Sequence, residues 1–145
     1  MEMIRQSELK RKLCGKISDR EWGLLGTGSP ELYVSAFNRA KITEMLYYPA
    51  GEKSVDLSRV QELHHALQTY LREYMAEKPE AHKWIILSCL YLAFVREEPL
   101  HPKEAAGYVA RSDHGKKVYF CPLREGGPDS ICSYCVCRKQ ENNND

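Results

Sequence analysis

Four of the six cysteines, Cys121, Cys132, Cys135 and Cys137, fall within 17 residues, while Cys14 and Cys89 stand alone. Thiolates bind Zn²⁺ at about 2.3 Å, and a Cys-x-x-Cys turn can set two sulfurs on one tetrahedral ion. Cys132 and Cys135 have that spacing, and ten residues separate Cys121 from Cys132. The layout is that of a zinc ribbon lacking one ligand, since Arg124 stands where the second cysteine of a first pair would be. Three sulfurs do not close a structural site, so a fourth ligand is expected. Cys137 is adjacent, although one intervening residue is tight for a mononuclear site. His101 precedes the segment and can lie beside Cys121. His114 is the poorest choice, because seven residues of strand at about 3.3 Å each hold it some 20 Å from Cys121. On spacing alone His101 and Cys137 stand level. The spacing matches neither common ferredoxin run, so zinc is the expected metal and an iron–sulfur cluster the alternative. The same residues can also be read as a redox dithiol or as ordinary packed thiols.

Other chemistry-bearing residues read more simply. His64 lies on an apolar helical face and is expected to be a hydrogen-bonded core histidine, with Glu62 and His82 as weak partners. Glu97 and Glu98 near His101 form a possible carboxylate–histidine pair, but two glutamates before a helix-ending proline are ordinarily solvated. Gly26-Thr27-Gly28-Ser29 fits no phosphate-loop pattern and reads as a plain loop. Lys10, Arg11, Lys12 and Lys16 read as a solvated helix face. Cys89 is expected in the core.

These residues must be positioned by elements that are mostly helical. A sparse, charged first helix spans about residues 2–13 and ends near Gly15. Ser18 and Glu21 form a capping box that opens a short helix over 19–25. Ser29 and Pro30 are expected to cap and start a helix running to about Tyr47, closed by Pro49-Ala50-Gly51. A second long helix is expected over about 57–76, with Leu57, Val60, His64, Leu67, Leu71 and Tyr74 on one face. Residues 79–96 form a third, apolar on nearly every side from Trp84 to Val95, and therefore central. Beyond Pro102 the pattern changes to a β-hairpin, with strands near 108–111 and 117–120 flanking Ser112-Asp113-His114-Gly115. The expected fold is mainly α: a helical bundle around a central apolar helix, with a small C-terminal β-hairpin and a Cys-rich, metal-binding-like segment. Residues 1–139 make a single domain, with a helical core over about 1–98, a Cys-rich subdomain over about 99–139, and a disordered polar tail at 140–145.

With 145 residues the chain can bury one core. A net charge of +1 does not have the footprint of a nucleic-acid binder. The longest apolar run, 84–95, is far short of the roughly 20 residues that span a bilayer. The start of the chain has no apolar leader, so a cytoplasmic location is expected, where cysteines stay reduced.

Pro99-Leu100-His101-Pro102, Tyr119-Phe120-Cys121-Pro122 and Cys132-Ser133-Tyr134-Cys135-Val136 together resemble an uncharacterised family of methanogenic archaea, domain of unknown function family 2115. Its C-terminal part has Leu-His-Pro, Cys-Pro and Cys-Pro-x-Cys-Val motifs. Here Ser133 stands in place of the family's proline, and Lys103-Glu104 in place of a valine and glycine. The likeness covers the last third of the chain. It implies an archaeal, anaerobic, cytosolic setting and a shared ligand set of His101, Cys121, Cys132 and Cys135, which favours His101 over Cys137. Three functions then compete. One is a protein-interaction module stapled by structural zinc. The second is an iron–sulfur or dithiol redox protein of anaerobic metabolism. The third is a metalloenzyme with an open metal site, where His101 or Glu98 assists a bound water.

Overall fold

A computed structural model describes residues 2–122 and 131–139. Strand β1 (Met3–Arg5) leads into α1 (Gln6–Cys14), α2 (Asp19–Thr27) and α3 (Ala36–Tyr47). Strand β2 (Ser54–Asp56) precedes α4 (Leu57–Tyr74) and α5 (Pro79–Tyr91), which continues into a π-helical turn, Leu92–Arg96. A short α6 (Lys103–Ala106), the strands β3 (Val109–Asp113) and β4 (Lys116–Cys121), a 3-10 turn (Ile131–Tyr134) and β5 (Arg138–Lys139) complete it. The protein is mainly helical, as its periodicity implies.

Helix starts follow their caps. The Ser18 hydroxyl accepts the Glu21 N–H (3.1 Å) and the Glu21 carboxylate accepts the Ser18 N–H (2.9 Å), the expected capping box. Asp56 caps α4 through the Ser58 N–H at 3.0 Å. The helix expected to begin at Pro30 instead begins at Ala36, because Ser35 takes the cap from the Asn38 N–H at 3.1 Å. Ser29 closes only a local turn onto the Glu31 N–H. The residues read as a loop from Gly26 instead extend α2 to Thr27, with Gly28 in the left-handed region at φ 69°. Arg39 then ties α3 back to that end by donating to the carbonyls of Leu25 (3.1 Å) and Ser29 (3.2 Å).

Burial on α4 falls on Val60, Leu63, Leu67 and Leu71. The expected face is thus rotated: Leu63 is fully buried, His64 is half-buried at the edge, and Tyr74 is exposed. On α5, Ala81, Trp84, Leu87, Ser88, Leu90 and Tyr91 are buried, and the helix packs against α3 and α4. Buried Ser88 satisfies its hydroxyl on the Trp84 carbonyl at 2.7 Å.

Three-residue strands β1 and β2, unforeseen in the sequence, pair antiparallel with Ile4 opposite Val55. The β3–β4 hairpin is longer than expected and turns on two residues, His114 and Gly115, both with positive φ (52° and 79°). That geometry matches the twist of the flanking strands. Strand β5 adds in parallel to β4, with Phe120 opposite Arg138 and Cys121 opposite Lys139.

The π turn is held from a distance. Its last amides, those of Glu97 and Glu98, both donate to the Leu92 carbonyl, and Glu97 adopts φ 53°. The Gln6 side chain, 5% exposed, donates to the carbonyls of Phe94 (2.9 Å) and Val95 (3.3 Å). Gly51 lies so close that a Cβ there would stand 2.8 Å from Gln6 Oε1.

Candidate metal centre

Three segments converge at the C-terminal end of the π turn. Residues Pro99 and Leu100 are buried and His101 is exposed, so the chain enters the site anchored and leaves His101 at its rim. Strand β4 ends in Cys121, and β5 beside it begins one residue after Cys137. The 3-10 turn places Cys132 so that the Cys135 N–H donates to its carbonyl at 3.1 Å, closing the Cys-x-x-Cys turn. This turn rests on α4: the Arg59 guanidinium lies 4.4 Å from the Tyr134 ring centroid, and the Tyr134 hydroxyl donates to Glu62 at 3.4 Å. Glu62 is therefore engaged with Tyr134.

The sulfurs differ in character. Cys135 is held well below the ordinary thiol range, chiefly by a hydrogen bond from the Cys137 thiol. Burial opposes this, but the N–H groups of Cys137 and Leu100 and the nearby charge of His101 reinforce it. Cys137, buried, is pushed up by that same bond and by burial, with the negative charges of Cys135, Cys121 and Cys132 adding to it. Thus the four cysteines share one electrostatic neighbourhood, in which Cys135 is the more readily ionised of the hydrogen-bonded pair. Cys89 of α5 is a fifth neighbour that linear spacing could not reveal. Burial and the adjacent Cys135 push its thiol up to about 12.

All six cysteines are thiols in this structure. Among the described residues, no three Cys, His, Asp or Glu side chains stand close enough, as placed, to hold a metal ion. The groups feel one another's charge without forming a ligand shell. Arg124, the Gly-rich stretch at 125–129 and the polar tail at 140–145 lie outside the described residues.

The other candidates are placed as follows. His114 occupies the hairpin tip, its side chain 95% exposed, paired to Asp113 at 2.7 Å. His82 donates to the Met75 carbonyl (2.7 Å) at the end of α4. His64 is pushed down by burial and by the charges of Lys16 and His65. Glu97 pairs with Lys53 at 2.8 Å. Glu98 binds Lys41 (3.2 Å) and Arg96 (2.9 Å), so its carboxylate is engaged by two cations.

A family profile described as an uncharacterized protein conserved in archaea (DUF2115) matches residues 31–140. The chain belongs to this family. The match reaches well beyond the C-terminal third and takes in the helices from α3 onward. Among curated relatives, the UPF0305 protein MJ0646 of Methanocaldococcus jannaschii is 29% identical over 94 residues, covering 60% of this chain and 55% of the relative. The UPF0305 protein MK0666 of Methanopyrus kandleri is 36% identical over 77 residues, covering 45% and 51% respectively. The chain thus spans about half the length of the curated relatives it matches. No solved structure matches. No helix among the described residues is long and apolar enough to cross a membrane.

Proposed function

We propose that this protein is a cytoplasmic, helical interaction module whose C-terminal segment is stapled to the core by a structural metal ion, zinc by preference. The observation that carries this reading is geometric: the Cys-x-x-Cys turn, closed by the Cys135 N–H on the Cys132 carbonyl at 3.1 Å, leads through buried Cys137 into β5, which pairs with β4 at Cys121. Ionising several of these neighbouring thiols together is unfavourable without a cation, and a bound dication relieves that repulsion. The donor chemistry therefore fits zinc. Cys121, Cys132 and Cys135 would supply three ligands; for the fourth, Cys137 is set ahead of His101, the reverse of the order that the family resemblance implies. Cys137 has burial and contact in its favour; His101 would leave a smaller net charge, about −1 against −2, to be buried. Zinc would supply folding free energy to the small unit over residues 99–139, docked on the helical core over 1–98 with the segment 79–96 as the axis of its bundle. Exposed Tyr33, Tyr47, Tyr48, Tyr70 and Tyr74 offer the kind of aromatic surface that protein interfaces use.

The test is elemental analysis and absorption spectroscopy of protein purified without oxygen, alongside Cys135→Ser, Cys137→Ser and His101→Ala under a competing chelator. About one equivalent of colourless zinc is expected, lost in Cys135→Ser and Cys137→Ser and retained in His101→Ala. Loss in His101→Ala with retention in Cys137→Ser would exchange the fourth ligand. A brown protein would replace zinc by an iron–sulfur cluster. Protein that takes up no metal would overturn the reading.

A further inference from the structure

A half-open cleft of about 330 Å³ lies between α3, α6 and the hairpin, with Glu98 and Pro99 in its lining. Its volume is that of a small-molecule site. The floor is electrically balanced. Lys41 bridges Glu98 (3.2 Å) and Glu44 (3.3 Å), and Arg96 holds the other oxygen of Glu98 at 2.9 Å. Burial acts to lower the Lys41 pKa and is outweighed by those two carboxylates, which keep the ammonium charged. The rim is not balanced: Lys103 and Lys117 also line the cleft, and neither has a carboxylate within ion-pair distance among the described residues.

The walls are aromatic. Tyr108 and Tyr119 meet edge to face, centroids 5.7 Å apart and planes at 79°. Phe37 faces them from α3, with the Lys41 ammonium 5.7 Å from its ring centroid. Burial pushes both phenols up, so each remains an O–H donor at neutral pH. Opposite Tyr119 in the hairpin register stands Ala110, whose small side chain leaves the space between the rings and Lys117 open.

We propose that this cleft binds a small dianion built on a flat ring, its charge carried by a phosphate or by paired carboxylates. The ring stacks among Phe37, Tyr108 and Tyr119, and the charge meets Lys103 and Lys117, with the phenols donating to its oxygens. Cations are disfavoured by the rim, and purely apolar ligands would strand its ammonium groups. The site is separate from the metal reading and does not depend on it.

The full-length protein is titrated at low ionic strength with adenosine 5′-monophosphate, benzene-1,2-dicarboxylate and inorganic phosphate, by calorimetry and by NMR of the tyrosine rings. At least one ring compound is expected to bind about tenfold tighter than inorganic phosphate and to shift the Tyr108 and Tyr119 resonances. Which ring compound binds identifies the anion. The double variant Lys103→Glu/Lys117→Glu should weaken binding by about a hundredfold, and Ala110→Trp should block the ring compounds while the circular dichroism is unchanged. The control Lys10→Glu/Lys12→Glu should bind as the wild type does. Ring compounds no tighter than phosphate, undiminished binding in both cleft variants, or no tyrosine shift would overturn the proposal.

Discussion

At the scale of single residues, Glu21 links local structure to tertiary contact. It completes the capping box of α2 and also accepts from the Lys83 ammonium of α5 at 2.8 Å. Burial works to raise its pKa and is outweighed by Lys83 and by the Ser18 contacts, so the carboxyl sits below its ordinary 4.5. A depressed folded pKa contributes stability that is present above the unfolded value and lost as pH falls through the folded one. Glu21→Gln should therefore lower stability at neutral pH and flatten the loss below about pH 4.5, measured by urea denaturation across the acid range. Ser18→Ala, which removes the cap and keeps the Lys83 ion pair, should cost about 1 kcal/mol at neutral pH. A second residue-scale expectation concerns Gln6, whose amide serves two carbonyls of the π turn. Gln6→Ala should cost about 1–3 kcal/mol by leaving those buried acceptors unpaired. Gly51→Ala crowds the same amide, so a double-mutant cycle should show the two changes to be strongly non-additive.

Among the elements, the hairpin offers the cleanest test. Gly115 at φ 79° has open space around a Cβ, so Gly115→Ala should cost only backbone strain, about 1 kcal/mol. Amide exchange in β3 and β4 should rise while α4 and α5 stay protected. The elements legible in the sequence are those whose signals are local. Ser18 with Glu21 and the turn residues at 112–115 each specify one geometry. Ser29-Pro30 carried an equally good start signal, but Ser35, three residues before Asn38, had the cap that formed. Strands β1 and β2 are too short to show alternation, and their pairing joins residues about fifty positions apart, so nothing in either segment announces the other. On α4 a periodic face was readable, yet its centre fell on Leu63 and not on His64, because hydrophobic spacing tolerates a shift of one position. The cysteine cluster was visible as spacing; the approach of Cys89 and the Leu100 N–H to Cys135 came only with the fold.

For the molecule as a whole, the metal reading separates two kinds of stability. On the proposed zinc site, exhaustive chelation should release exchange protection in Lys116–Cys121 and Arg138–Lys139 and leave that of α4 and α5 in place, because the buried cluster around Leu63, Trp84 and Tyr91 is built from the helices, with the cysteine segment packed against its edge. Leu63→Ala should act in the opposite way, costing about 2–5 kcal/mol through the cavity it leaves while metal content is unchanged. The π turn connects these two regions. A helix advances about 100° per residue, and a π turn carries one residue more than the α-helical turn it replaces. Everything after Leu92–Arg96 is therefore out of phase with α5 by that angle, including Glu98 on the cleft floor and Leu100 against Cys135. The extra residue works as a phase shifter that aims two separate places at once. Removing it, as in a deletion of Ala93, would leave α5 intact and turn both away together, a coupled loss that no change within either place would produce.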